Sequence, residues 1–295
     1  MNVLVTGSSS HLARAVLPLL CAQAHIERVT GVDIAPPHFA HEKFHAVQCD
    51  IRAPHMTALL EGQHALVHLA FVVLRGHMRE SAMAEINVDG SLQLFHAARA
   101  AGVQRLVQLS SAAVYGRGAQ LAEDAALAPL PGFLYAGHKA QLERVLAADF
   151  PECVRLRPHV ILGPNAQPLL RRLLDLPLYL ALPQPLPQIQ CVHEVDVARA
   201  ILCAIEREVR GPFNLAATGT CSYRDLILQR HRHALPLPLP LARPALRAAW
   251  WLTGWGGEPA WIEGLAHTLT LDCARAQREL HWQCNYDTIA AANSI

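Results

Sequence analysis

Lysine is almost missing from this chain of 295 residues: of 25 lysines and arginines, only Lys43 and Lys139 are lysines. Charge of either sign is sparse as well, at 17% with a net of +1, so the basic face that a nucleic-acid binder needs is absent and no such partner is expected. No apolar run reaches the roughly 18 residues of a membrane helix. The amino terminus enters a strand-like run directly, with no leader pattern, so a cytoplasmic protein without a membrane partner is expected. The eight cysteines are scattered without a CxxC pair, which argues for reduced thiols and against a disulfide framework or a metal centre. His231 and His233 have no third ligand near them in sequence and read as a solvated loop.

What is present points to a large folded unit. Hydrophobic residues make up 52%, and the length suits one large nucleotide-binding domain plus a smaller lobe. Strand-like and helix-like runs alternate through the first half, which predicts βαβ units and an α/β fold with a doubly wound parallel sheet of the Rossmann type. MNVLVTG reads as a short buried strand, Ser8 to Ser10 as a turn, and His11 to Leu20 as a helix with a kink or early stop at Pro18. A strand, a tight turn and a helix start form a cradle for a pyrophosphate, because free N–H groups and the positive helix end face the anion. Gly7, Ser10, His11, Leu12 and Ala13 are its candidate residues. The spacing is that of TGxxGxxG, with Ser10 and Ala13 in the second and third glycine positions.

ERVTGVDIAPP reads as a second strand ending in Asp33, whose carboxylate suits the adenosine ribose hydroxyls. No arginine stands among residues 34–37 to meet a 2′-phosphate, so NAD is expected over NADP. FHAVQCDIR ends in Asp50 and Ile51, suited to the adenine edge and face. HALVHLAFVVL, His64 to Leu74, reads as a fourth strand, with Leu69, Ala70 and Phe71 lining the cofactor crevice. In LYAGHKAQLERVL, Tyr135 and Lys139 lie four residues apart on one helix face. Upstream, LVQLSSAAVYG places Ser110 and Ser111 at the end of an apolar strand. Serine, tyrosine and lysine together suit proton transfer at a carbinol beside a redox cofactor.

The order TGSSSHLA, VDI, CDI, VHLAF, NVDGS, SSAAVYG, YAGHK, RPHVILGP, VHEVDVA, FNLAA and LDCARAQREL resembles the extended short-chain dehydrogenase/reductase family, in its NAD-dependent epimerase/dehydratase branch. The resemblance implies an NAD-dependent enzyme with Ser111, Tyr135 and Lys139 as its catalytic triad. It places Asn87 in a chiefly structural role near the cofactor, and Pro158, His159 and Val160 beside the nicotinamide. It also implies a homodimer built on SLQLFHAARAAGV and LYAGHKAQLERVLAADF.

Beyond Pro164 the chain turns Leu-, Pro- and Trp-rich. The expected division is a Rossmann domain over 1–164, its sheet completed by about 190–217. The smaller, mostly helical C-terminal substrate lobe takes 165–295, mainly 165–189 and 218–295. Trp250, Trp251, Trp255 and Trp261 could form lobe core, dimer packing or an aromatic wall for a small-molecule substrate, and Arg171, Arg172 and Arg224 could meet a diphosphate. Three functions follow as expectations: epimerase or dehydratase of a nucleotide sugar, dehydrogenase or reductase of a less polar sterol- or aryl-type carbinol, and non-catalytic NAD sensor or scaffold.

Overall fold

The computed structural model describes residues 1–74, 76–253 and 260–295. Seven parallel strands form its central sheet: β1 (Asn2–Thr6), β2 (Arg28–Asp33), β3 (Phe44–Gln48), β4 (Ala65–His68), β5 (Arg105–Leu109), β6 (Val154–Pro158) and β7 (Gly211–Leu215), in the order β3-β2-β1-β4-β5-β6-β7. Val3, Leu4, Val5 and all of β4 are buried, as expected for strands covered on both faces.

Side chains alternate along each strand, so β1 serves two cores. Val3 and Val5 join one core with Val16 and Leu17 of helix α1 (Ala13–Cys21) and with Val197 and Ile201 of a later helix, Glu194–Glu206. Leu4 joins the other, with Leu94 and Phe95 of α2 (Ser91–Ala100) and Leu142 and Leu146 of α3 (Leu134–Asp149). The later helix is α4. Order reverses between β1 and β4, and a crevice opens there at the carboxyl ends of the strands.

After β6 the chain builds helix Pro168–Asp175 and strand Leu178–Ala181, returns to the sheet through α4 and β7, and leaves again. Strand Leu235–Pro238 then pairs with Leu178–Ala181. Helix Tyr223–Arg230 begins on a reciprocal Ser222–Asp225 capping box, and Leu226 and Ile227 pack with Leu174, Ala291 and Ala292.

Two expectations need correction. The fourth strand ends at His68, not Leu74, because the backbone of Val72 is captured by the Asn87 amide, which donates to its carbonyl at 2.9 Å and accepts from its N–H at 2.7 Å. Pro18 also does not stop helix α1, which runs on to Cys21. Pro18 lies on the exposed side, where water can reach the carbonyl that its missing N–H leaves free.

Buried polar groups tie distant segments together. His68 is fully buried between Thr6 Oγ1 (2.6 Å) and Ser91 Oγ (2.8 Å). His159 accepts from the Val160 N–H (2.8 Å), so its Nε2 donates to the carbonyl of Leu269 (2.9 Å). Burial lowers His68 to about 3, with the Lys139 charge adding to it. Burial lowers His159 to about 4, partly offset by its bond to Leu269. Asp196, fully buried in the first turn of α4, accepts from the N–H groups of Asn285 (3.0 Å) and Tyr286 (3.3 Å) and from Arg199 (3.2 Å). Its carbonyl takes the Trp282 indole N–H at 2.7 Å.

Two outcomes follow. Asp196→Ala strands buried donors and is expected to cost about 2–4 kcal/mol in urea unfolding; a loss under about 0.5 kcal/mol would contradict this anchoring. The unfolded chain protonates both histidines near pH 6.5 while the folded chain holds them neutral, so it binds more protons below that pH. Their contribution is therefore complete above about 6.5 and is lost as pH falls toward 4 and then 3, by about 1.4 kcal/mol per pH unit for each ring. Unfolding measured at pH 7 and 5 in the parent and in His159→Gln should show the shallower acid slope in the variant.

Candidate active site

The crevice between β1 and β4 is closed at its base by a backbone approach that only glycine permits. Gly7 has φ +71°, and a Cβ there would stand 2.5 Å from the Ala70 nitrogen. A cradle of this kind, at the start of α1, fits a dinucleotide pyrophosphate. Ser10 turns its hydroxyl back to accept from the Ala13 N–H at 3.4 Å, and Ala13, with no exposed surface, packs into the core beneath. Leu12 is also buried, whereas His11 is exposed beside the cradle. His11 is lowered first by burial, then by the charges of Arg14 and Arg171.

Asp33 ends β2 with its carboxylate accepting from the N–H groups of Ser9 (2.8 Å) and Ala35 (2.9 Å). This fixes its orientation at the crevice rim and leaves lone pairs for ribose hydroxyls. Asp50 is held differently: Arg52 forks onto it at 2.7 and 2.9 Å, and this hydrogen-bonded pair keeps its carboxyl below the usual range. Ile51 is buried beside it. Across the crevice, Leu69 is buried and Ala70 and Phe71 are half-buried.

At the carboxyl end of β5, Ser111 caps a short 3-10 turn, Ala112–Tyr115, by accepting from the Ala113 N–H at 3.2 Å. Ser111 also acts on Tyr135, opposing the burial that pushes the phenol up to about 12. One turn along α3, Lys139 is 2% exposed and donates to the Leu109 carbonyl. Its Nζ lies 3.6 Å from the centroid of the Phe71 ring and 5.9 Å from that of Tyr135. Burial lowers Lys139 to about 7, with Glu143 pulling it back. Ser110, the other candidate hydroxyl, points away from Tyr135: it is buried and donates to Glu143.

The remaining expected residues divide by role. Asn87 has no exposed surface, and its amide is occupied by Val72, so it holds the crevice wall. Pro158 ends β6, Val160 starts a short strand paired with Cys191–His193, and the His159 ring is turned to Leu269. All eight cysteines are unpaired, and no metal-binding cluster occurs among the described residues.

Three features were not anticipated. Trp261 stacks on Tyr135 (5.8 Å between centroids, 25° between planes) and meets Phe133 edge-on, while Phe71 meets Tyr135 from its edge at 5.7 Å. Of the other tryptophans, Trp251 is 73% exposed, and Trp255 lies outside the described residues. His38, in the loop after β2, has both ring nitrogens buried without a hydrogen-bond partner among the described residues. Glu143 is buried against Arg157. Of the three, Trp261 belongs to the tryptophan cluster read from the sequence as a candidate aromatic wall and Glu143 stands four residues after Lys139, whereas His38 carried no signal.

Comparison with known proteins agrees with this geometry. The chain is 26% identical over 280 residues to an uncharacterized protein of Mycobacterium tuberculosis, covering 88% of this chain but only 28% of that protein's length. A 4-hydroxy-2-methyl-3-oxo-4-farnesyl-3,4-dihydroquinoline-1-oxide ketoreductase of Stigmatella aurantiaca is 30% identical over 190 residues, which is 59% of this chain and 54% of that one. The fold matches that of a dTDP-glucose 4,6-dehydratase from Streptomyces venezuelae, solved with NAD bound, at a TM-score of 0.74 and 22% identity over 100% of this chain and 96% of the other. The sequence profile of the NAD dependent epimerase/dehydratase family matches residues 3–216. With the parallel sheet, the Gly7 cradle and the Tyr135–Lys139 helix all inside that span, this chain belongs to the NAD-dependent epimerase/dehydratase family of enzymes.

Proposed function

We propose that the enzyme exchanges hydride between NAD and a secondary carbinol, with Tyr135 moving the carbinol proton. The observation that carries this reading is that Tyr135 and Lys139, one turn apart on α3, meet the end of β5, where Lys139 donates to the Leu109 carbonyl and Ser111 follows two residues on. NAD, when bound, supplies the hydride acceptor and a positive ring. Gly7 and the start of α1 would hold its pyrophosphate and Asp33 its adenosine ribose. Ser111 orients the substrate oxygen, and Tyr135 takes its proton as the carbon loses hydride. Burial alone keeps Tyr135 a phenol, so added positive charge is what favours phenolate. Lys139, the compact cation on this helix face, supplies part of it and a donor for ribose hydroxyls. A homodimer through α2 and α3 belongs to the same reading.

For the substrate, a nucleotide sugar is the first choice. Arg224 has a buried Nε without a hydrogen-bond partner among the described residues, and its guanidinium stands 5.3 Å from the Tyr179 ring in the second lobe. A buried orphan donor of this kind suits a diphosphate. Arg171 instead donates to the Pro164 carbonyl. A second reading, a less polar ring carbinol or ketone, is favoured by Trp261 on Tyr135 and by the likeness to the Stigmatella ketoreductase.

Tyr135→Phe is expected to lower turnover by roughly 10²–10⁴-fold while NAD still binds; turnover at the parent's rate would end the proton-transfer role. Calorimetric titration should give NAD at least about tenfold tighter than NADP because Asp33 repels a 2′-phosphate, and equal affinity would contradict that placement. Uridine or thymidine diphosphate at millimolar concentration should raise the Tm of the NAD-loaded protein, and less so in Arg224→Ala. No rise with either, together with a rise from aryl ketones that Trp261→Ala removes, would favour the second reading.

A further inference from the structure

Helix α3 carries a third polar residue at the same spacing, Glu143, four residues after Lys139. The two side chains dock on consecutive residues at the end of β5: Lys139 donates to the Leu109 carbonyl, and Glu143 accepts from the Ser110 hydroxyl. Both are buried, at 2% and 1% exposure. From β6, Arg157 Nε reaches both oxygens of Glu143 at 3.0 Å and its Nη2 reaches Oε2 at 2.5 Å, while Arg155 Nε stands at 3.8 Å. Two buried arginines thus share one buried carboxylate, the forked Arg157 holding the larger part, and the same charge acts on Lys139 one turn away.

We propose that Glu143 is a positioning residue that sets the proton on Lys139, and that Arg157 tunes it by competing for the same carboxylate. The inference rests on the reading that Lys139 serves Tyr135. In a site closed to water, the charges on neighbouring side chains act at low effective dielectric. The other groups facing Lys139 do not supply a negative charge. Tyr135 on its own helix is held as a phenol, and His68 on β4 is held neutral by burial. The Phe71 ring gives only its π-face, His138 meets the Asn87 amide, and Arg155 and Arg157 are cations. Farther out, Arg157 Nη1 donates to the Tyr115 hydroxyl (2.6 Å), which donates to Asn214 (2.8 Å), and to the Glu123 carbonyl (2.9 Å). The arginine is thereby held in place and cannot swing toward Lys139.

Because the chain has only two lysines, the proton on Lys139 can be read directly. This 295-residue chain labelled with ¹³C-lysine should give two Cε resonances, and a pH titration by NMR follows each without substrate or cofactor. In the parent, Lys139 should titrate near neutrality. Glu143→Gln should lower its midpoint by about one pH unit, and Arg157→Met, which frees the carboxylate for Lys139, should raise it by a similar amount. Lys43 should not move in either variant. General loosening of the fold would shift both variants the same way, toward the ordinary lysine value, so opposite shifts are the signature. Unmoved midpoints, or shifts of one sign in both, would overturn the proposal. Should Glu143→Gln fail to fold, Glu143→Asp keeps the charge and withdraws it by one methylene, and is expected to lower the midpoint by about 0.3–0.5 unit; no change there counts equally against it. Loss of the Tyr135 assignment would show as an active Tyr135→Phe enzyme and would leave these titrations as they are.

Discussion

Desolvation of the Lys139 ammonium is the constraint on which the rest of the site depends. An ammonium taken out of water loses part of its preference for the charged form, and it remains useful to a neighbouring phenol only if the surroundings give some of that back. The carbonyl at the end of β5, the face of Phe71 and the buried Glu143 do so. Each of these requires that α3 lie against β5 at one height and rotation, and the packing of Leu142 and Leu146 with Leu94, Phe95 and Leu106 sets both. The hydrophobic core and the placement of Tyr135 and Lys139 are thus parts of one arrangement.

A second constraint meets the first at the crevice. Gly7 approaches Ala70 so closely that no side chain fits between them, and the same segment continues through Phe71 to Val72, where Asn87 clamps it. The wall that would face the cofactor therefore also presses an aromatic face onto Lys139. Trp261 covers Tyr135 from the other side. Tyr135 thus lies in a partly aromatic enclosure, where water competes weakly for its hydroxyl.

Much of this was legible because it is local in sequence. A four-residue spacing places Tyr135 and Lys139 on one helix face, a strand, turn and helix meet around Gly7, and a strand ending in Asp33 places a carboxylate at the crevice rim. Features made by distant segments were not legible. Trp261 reaches Tyr135, Arg157 reaches Glu143 and the His159 ring reaches Leu269 only once the sheet has brought them together. The residues alone left Ser110 and Ser111 open and the family resemblance pointed to Ser111; in the fold Ser110 turns toward Glu143. The run from His64 to Leu74 misled because apolar composition persists past His68, where the backbone has already left the sheet for Asn87.

The central claim is that this pocket converts added positive charge into a phenolate on Tyr135. Ultraviolet difference spectra report tyrosine ionisation directly and need no substrate. Titrated with pH, the NAD⁺-loaded enzyme should show one tyrosine ionising well below the ordinary value of about 10. That signal should vanish in Tyr135→Phe and move above the ordinary value in the cofactor-free chain, where burial pushes the phenol up. If the loaded enzyme shows no tyrosine ionising below that value, or the same signal in Tyr135→Phe, the account of the site is wrong.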